Sequence, residues 1–165
     1  MARLAGIVAN RVREVLSSEQ ALPGQIARLS LEAGVPEQRL GISQLLVRNV
    51  SAEIAEKSTG VSYPSFHIYC EKLTNSLREK FRTFSGTARM AVEARASQDR
   101  IEGLEERLSV YVDAITSLLD VSRGDLGQGM FYTGGYEVTF GAVKHGGKNF
   151  LQTAKVVFEV EISTD

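Results

Sequence analysis

Along the first seventeen residues Leu4, Ile7, Val8, Val12 and Val15 recur at helical spacing, which predicts an amphipathic helix over about residues 3–17. Pro23 and Pro36 then break the chain into short pieces. Between them Ile26, Leu29 and Ala33 return at helical intervals, with Gly34 as a stop just ahead of Pro36, so a short second helix is expected. The stretch LLVRNVSAEI, Leu45 to Ile54, fits either a strand or a buried helical turn.

After Val61 the period changes. Phe66, Ile68 and Cys70 alternate with His67 and Tyr69, the rhythm of a strand, and Pro64 sits at its start, where a missing amide donor costs least. In TARMAVEARAS the residues Ala88, Met90, Val92, Ala94 and Ala96 alternate with Thr87, Arg89, Ala91, Glu93 and Arg95, one face buried and one wet. His67 falls on the wet face and Cys70 on the inward one. A long charged connection, LTNSLREKFRTFSG, joins the two strands, and Gly86 marks the turn into the second.

Ile101, Leu104, Leu108, Val112, Ile115 and Leu119 form a helical stripe from Asp99 to Asp120, with Asp99 and Glu102 spaced as a capping box and Gly124 as a stop. Gly103 inside that helix weakens it by about 1 kcal/mol relative to alanine. A glycine-rich connection, RGDLGQGMFYTGG, leads to Tyr136, Val138 and Phe140 at strand spacing. After KHGGKN, a last strand sets Val156, Phe158, Val160 and Ile162 against Val157, Glu159 and Glu161. The order predicts an α+β fold: an antiparallel sheet of about four strands packed on one long helix, with an N-terminal helical segment. One domain spans 1–165, mainly helical over 1–60, with the sheet and long helix over 61–165.

Composition narrows the function more than it names it. With 43% hydrophobic and 24% charged residues the chain is typical of a folded soluble domain, and a net charge of -1 provides no bulk field toward nucleic acid or acidic membrane. Contacts of that kind must be local. The single cysteine, Cys70, closes no intramolecular disulfide and belongs to no metal-spacing motif, which suits a reducing cytosol. Asn10, Arg11 and Arg13 interrupt the N-terminal apolar patch before a signal-type segment forms, and no run of about 18 apolar residues suggests a membrane span.

Catalytic and cofactor readings fare poorly. KHGGK lacks the GxxxxGK[ST] pattern and leads into a strand rather than a helix, so its glycines read as a hairpin turn with Lys144, His145 and Lys148 at a solvated tip. His67 and His145 read as exposed structural histidines without the orienting partner a general base needs, and no GxSxG elbow is present. No catalytic, metal-binding or cofactor-binding residue is assigned.

Charge is segregated. Residues 71–95 carry Lys72, Arg78, Lys80, Arg82, Arg89 and Arg95 against three acids, whereas residues 98–125 carry seven acids and three arginines. In LREKFRTF the cations Arg78, Lys80 and Arg82 alternate with Glu79 and Phe81, so an extended arm would project three positive side chains from one edge. Such an arm meets a partner subunit or DNA phosphates, or is merely an exposed hairpin; the residues leave both open. Phe81, Phe84, Met130, Phe131 and Tyr132, in long connections, hint at contact with another chain.

The N-terminal helix, the Y-P-x-F-x-I-Y strand, the long hairpin-like arm, the long helix and the final YEVTFG…FLQTAKVVFEVEI hairpin together resemble tail terminator proteins of tailed bacteriophages, also called tail completion or minor tail proteins. The resemblance covers roughly residues 60–165 and the first helix. It implies a structural virion protein made in the bacterial host cytoplasm, without enzymatic activity or cofactor. Such a subunit forms a ring, in the family a hexamer, on the last ring of the tail tube protein, ends tube growth and docks to a head-tail connector or neck protein, with DNA passing through the lumen. On that footing Phe81, Arg82 and Phe84 are candidate subunit contacts, and Lys144, His145 and Lys148 candidate lumen or partner-facing residues. Arg78 and Lys80 are candidates to touch DNA or a partner. Residues 18–58 depart from shorter members of the family. Other readings are a head-closure or tube protein, and a small nucleic-acid-binding module relying on Arg78, Lys80 and Arg82.

Overall fold

The computed structural model describes residues 3–18, 20–35, 44–52, 55, 62–146 and 148–165. Two long strands organise it. β2 (Ser65–Asn75) and β3 (Phe84–Gln98) form a hairpin, and β3 pairs antiparallel along its whole length with β8 (Asn149–Thr164), from Phe84 opposite Thr164 to Gln98 opposite Phe150. β1 (Leu45–Val47) adds in parallel to the outer edge of β2. The far edge of β8 is tiled by three short partners: β7 (Lys144–Gly146), β6 (Glu137–Phe140) and β5 (Met130–Tyr132), with β4 (Gly124–Gly127) beyond β5.

The class is therefore α+β as the periodicity implies, but among the described residues the sheet is a curled, mixed one of eight strands with three helices, not about four antiparallel strands packed on one long helix with an N-terminal helical segment. The extra strands are short pieces that add to the edges of β2 (β1), β8 (β5 and β7) and β5 (β4) and carry little alternation of their own. The connection RGDLGQGMFYTGG, read as glycine-rich loop, supplies β4 and β5 in this way. Of LLVRNVSAEI, only Leu45–Val47 resolve as strand β1. Pro36, Ile54 and Gly147, which entered the sequence reading as a breaker, an ambiguous segment end and a turn residue, lie outside the described residues.

One face of the sheet is apolar. Phe66, Ile68 and Cys70 of β2 stand opposite Ala94, Val92 and Met90 of β3, which in turn face Ala154, Val156 and Phe158 of β8. Burying such a row is worth about 25 cal/mol per Å² of apolar surface, which is what holds the helical layer in place. α1 (Leu4–Ser17) lies against β1 and β2, α3 (Leu104–Val121) against β3 and β8, and α2 (Leu22–Ala33) packs on α3. On α1 the buried stripe is Leu4, Val8, Ala9, Val12 and Leu16, while Ile7 is left half exposed and Val15 only partly covered. On α3 Leu104, Leu108, Val112, Ile115 and Leu119 go inward as the stripe predicts, and Tyr111 meets Phe66 edge-on at 5.9 Å between ring centroids.

Helix ends differ from the sequence reading. Pro23 does not break the chain but opens α2 at its first turn, where its missing amide is harmless, and Gly34 closes the helix in the left-handed region. α3 begins at Leu104, not Asp99: Gly103 is its N-cap at φ 81°, no side chain caps it, and Ile101 stays outside and exposed. Gly103 is thus a junction only glycine enters without strain, rather than a weak interior position. Gly86, read as a turn, lies inside β3 opposite Asn75; a Cβ there would sit 1.8 Å from the Thr74 carbonyl oxygen, so the close approach of the β2 backbone demands glycine. No helix of the described residues is long and apolar enough to cross a membrane.

Candidate interaction surface

The second face of the sheet carries Ser65, His67, Tyr69, Arg89, Glu93, Arg95, Lys155 and Glu159, with Glu71 in the bulge between Cys70 and Lys72. Its two ends differ. Toward the start of β2 it is closed: His67 is 0% and Arg95 2% exposed, although strand alternation placed both on the wet face. The chain around Val50 crosses above them, and the Arg95 guanidinium donates to the Val50 carbonyl through Nη2 and to Glu93 through Nε, the latter at 2.9 Å. Glu93 also accepts from the Tyr69 hydroxyl at 3.2 Å. Burial, and then the field of that carboxylate, push the Tyr69 phenol up to about 12. Among the described residues His67 has no hydrogen-bond partner, and burial, with Arg95 and Arg48 nearby, drives its imidazole down from 6.5 to about 4. It is a neutral core histidine.

Toward the other end the face is open and cross-linked. Glu71 accepts from Lys155 at 2.7 Å and Arg89 at 3.1 Å, and these bonds, Lys155 first, hold its carboxyl below the usual range. Cys70, expected to be fully inward, is half-buried, with its thiol pushed up by burial.

Beyond that end, residues 76–83 connect β2 to β3. They form a braced loop, not an extended arm. Asn75 Oδ1 accepts the amides of Leu77 (3.3 Å) and Ser85 (3.1 Å), while Asn75 Nδ2 donates to the Thr83 carbonyl (3.1 Å). Ser85 Oγ accepts the Glu79 amide at 3.0 Å, the Ser76 amide donates to the Ser85 carbonyl, and the Thr83 amide donates to Thr164. The Ser163 hydroxyl donates to Glu79 at 2.8 Å. Within this frame Leu77 and Phe81 stand at φ 48° and 65°, a region that bulky side chains enter at a cost of about 1–2 kcal/mol. Leu77 is 62% and Phe81 100% exposed. Two apolar side chains are therefore held in solvent by a backbone that bonds fix in an unfavourable conformation, the pattern expected where a surface serves a partner.

The cations on this loop are largely spoken for. Arg78 lies 3.6 Å from Glu161, and Arg82 pairs with Glu79 at 3.5 Å and with Asp165. Lys80 has no ion pair among the described residues. Alternating projection from one edge does not hold, because the positive φ angles at Leu77 and Phe81 break the strand period.

Of the three candidate contacts, Phe81 is exposed at the loop tip and Arg82 is exposed beside it. Phe84 is a correction: it is 1% exposed as the first residue of β3, a core side chain rather than an exposed one. Lys144, His145 and Lys148 share the β7–β8 hairpin, where Lys144 stands opposite Leu151 and the His145 ring meets Phe150 edge-on at 5.0 Å. That hairpin and the Phe81 loop lie at opposite ends of β8, whose 16 residues span about 50 Å if straight, so the two groups do not share one site. Leu77 was missed as a companion of Phe81, whereas Phe131 of β5, already among the apolar residues expected to meet another chain, is exposed; the Asn75-Ser76 pair, a turn signal, was the available hint for Leu77.

Among the described residues no group of three His, Cys, Asp or Glu is placed to hold a metal ion. No protein-family model matches the chain, and no curated protein matches it by sequence.

Proposed function

We propose that the chain is a structural subunit that assembles with copies of itself, in the manner of a bacteriophage tail terminator: a ring capping the tail tube, ending its growth and offering a docking surface to a head-tail connector or neck protein. The observation that carries this reading is the braced loop that holds Leu77 and Phe81 in solvent. Exposed apolar side chains on a rigid frame lose little conformational entropy on docking, which favours a stable protein contact over a transient one. In this reading Phe81 and Arg82 belong to the subunit interface, and Lys144, His145 and Lys148, at the far end of β8, face the lumen or the tube. DNA touches the subunit only in passage, and the protein works as part of the virion.

The test is assembly of the purified chain. Light scattering and electron microscopy are expected to find closed rings that stop at one layer, and Phe81→Ser to yield a folded monomer. Long stacked polymers would favour the tube-protein alternative, and unchanged ring mass in Phe81→Ser would remove Phe81 from the interface. A nucleic-acid module is disfavoured because Arg78 and Arg82 are already paired with carboxylates; it requires retention on DNA that weakens steeply with salt.

A further inference from the structure

Next to the Phe81 loop the same end of the molecule has a groove of about 480 Å³. Phe84 and Met130, both buried, form its floor, Leu4 and Ile7 of α1 its wall, and Arg3 and Asp165 its rim. Ile7 is 46% exposed there, on a helix whose Leu4, Val8, Ala9, Val12 and Leu16 are buried. An exposed apolar knob and an open apolar groove of side-chain size therefore occur on one chain.

We propose that the knob formed by Leu77 and Phe81 of one copy seats in the Ile7 groove of a second copy of this chain. Each feature carries one acid and one base, so the two can pair crosswise. Glu79 and Lys80 flank the knob, Arg3 and Asp165 rim the groove, and neither Lys80 nor Arg3 has an ion pair among the described residues. Asp165 and Glu79, which pair with Arg82 within one copy, remain exposed enough to take Lys80 and Arg3 of a second copy as further partners. Like charges at those places would repel, so the arrangement selects a second copy rather than an arbitrary apolar partner. The knob arrives already shaped, since Asn75 and Ser85 fix its backbone. The proposal deepens the self-assembly reading by naming the surface that receives Phe81, and rests on that reading only in taking the partner to be a second copy.

The experiment measures mass and dissociation constant of the full chain by light scattering and sedimentation, with circular dichroism to confirm folding. Phe81→Ser and Ile7→Asp are each expected to weaken association at least about thirtyfold, as central interface residues do. Leu31→Ser, at an exposed leucine on α2 outside the groove, is expected to change nothing. Lys80→Glu and Asp165→Lys should each weaken assembly, and the double variant should regain most of it. That rescue does not depend on how Ile7→Asp folds. Assemblies unaffected by Ile7→Asp would overturn the groove while leaving the ring reading intact. A wild-type dimer lost in both apolar variants would support knob and groove and overturn the ring. A wild-type chain that stays monomeric up to about 1 mM would overturn both.

Discussion

The β2–β3 loop and the β7–β8 hairpin look alike as sequence: LREKFRTF and KHGGK are both short, charged and flanked by strands. In three dimensions they are built on opposite principles. The hairpin turns between adjacent strands and leaves Lys148 in solvent, with no apolar side chain held out at its tip. The loop is tied to Asn75, Ser85, Ser163 and Thr164 and spends that bonding on holding two apolar side chains outward. Charge content was the visible property of both stretches, yet backbone bracing is what separates a turn from a candidate contact.

The comparison can be broken in several ways. The largest effect is expected at the closed end of the sheet. His67 titrates near 4 in the folded chain against 6.5 when exposed, so the unfolded chain takes up its proton first as pH falls. Stability from this residue is complete above about pH 6.5 and drains away toward pH 4, by about 3 kcal/mol at about 1.4 kcal/mol per pH unit. Urea melts across this range should show the loss, and His67→Leu should flatten it. An equal slope in that variant would assign the acid sensitivity elsewhere.

Asn75→Ala removes three bonds at the base of the loop and is expected to cost about 2 kcal/mol in urea unfolding. The matching change at the hairpin, Lys148→Ala, should stay within about 0.5 kcal/mol. Equal losses would mean that the loop is no better braced than the hairpin. Phe81→Gly is the sharpest case, because glycine enters φ 65° without strain. Monomer stability should hold or rise by about 0.5 kcal/mol while self-association falls, whereas an ordinary packed phenylalanine would lose stability. Smallest of all, Arg82→Ala should cost less than about 1 kcal/mol despite its two carboxylate partners, since the pair is largely solvated.

What could be read from the chain was whatever obeys a period. The stripe of Leu104, Leu108, Val112, Ile115 and Leu119, and the alternation of Ala88, Met90, Val92, Ala94 and Ala96, located α3 and β3 because a face that must be buried writes its own spacing. Of the short strands only β6 showed a period, in Tyr136, Val138 and Phe140; β4, β5 and β7 are three or four residues long, too short to express one, and β5 and β7 take their places from the free edge of β8, with β4 on β5. Phe84 was misplaced for a related reason: nothing local distinguishes the last residue of a loop from the first of a strand.

The sequence by itself determined the class of fold, the apolar face of the sheet, the helical layer that covers it and the lack of any recognised catalytic motif. Only the tertiary structure decided which polar residues are inside and which apolar ones are outside. His67 and Arg95 are sealed because the chain around Val50 crosses a face that alternation marks as wet. Phe81 stands in solvent because bonds from residues before and after the loop, and from the far end of β8, fix a backbone that no nearest-neighbour preference would choose. Both outcomes depend on contacts between segments distant in the chain, and such contacts leave no period to read.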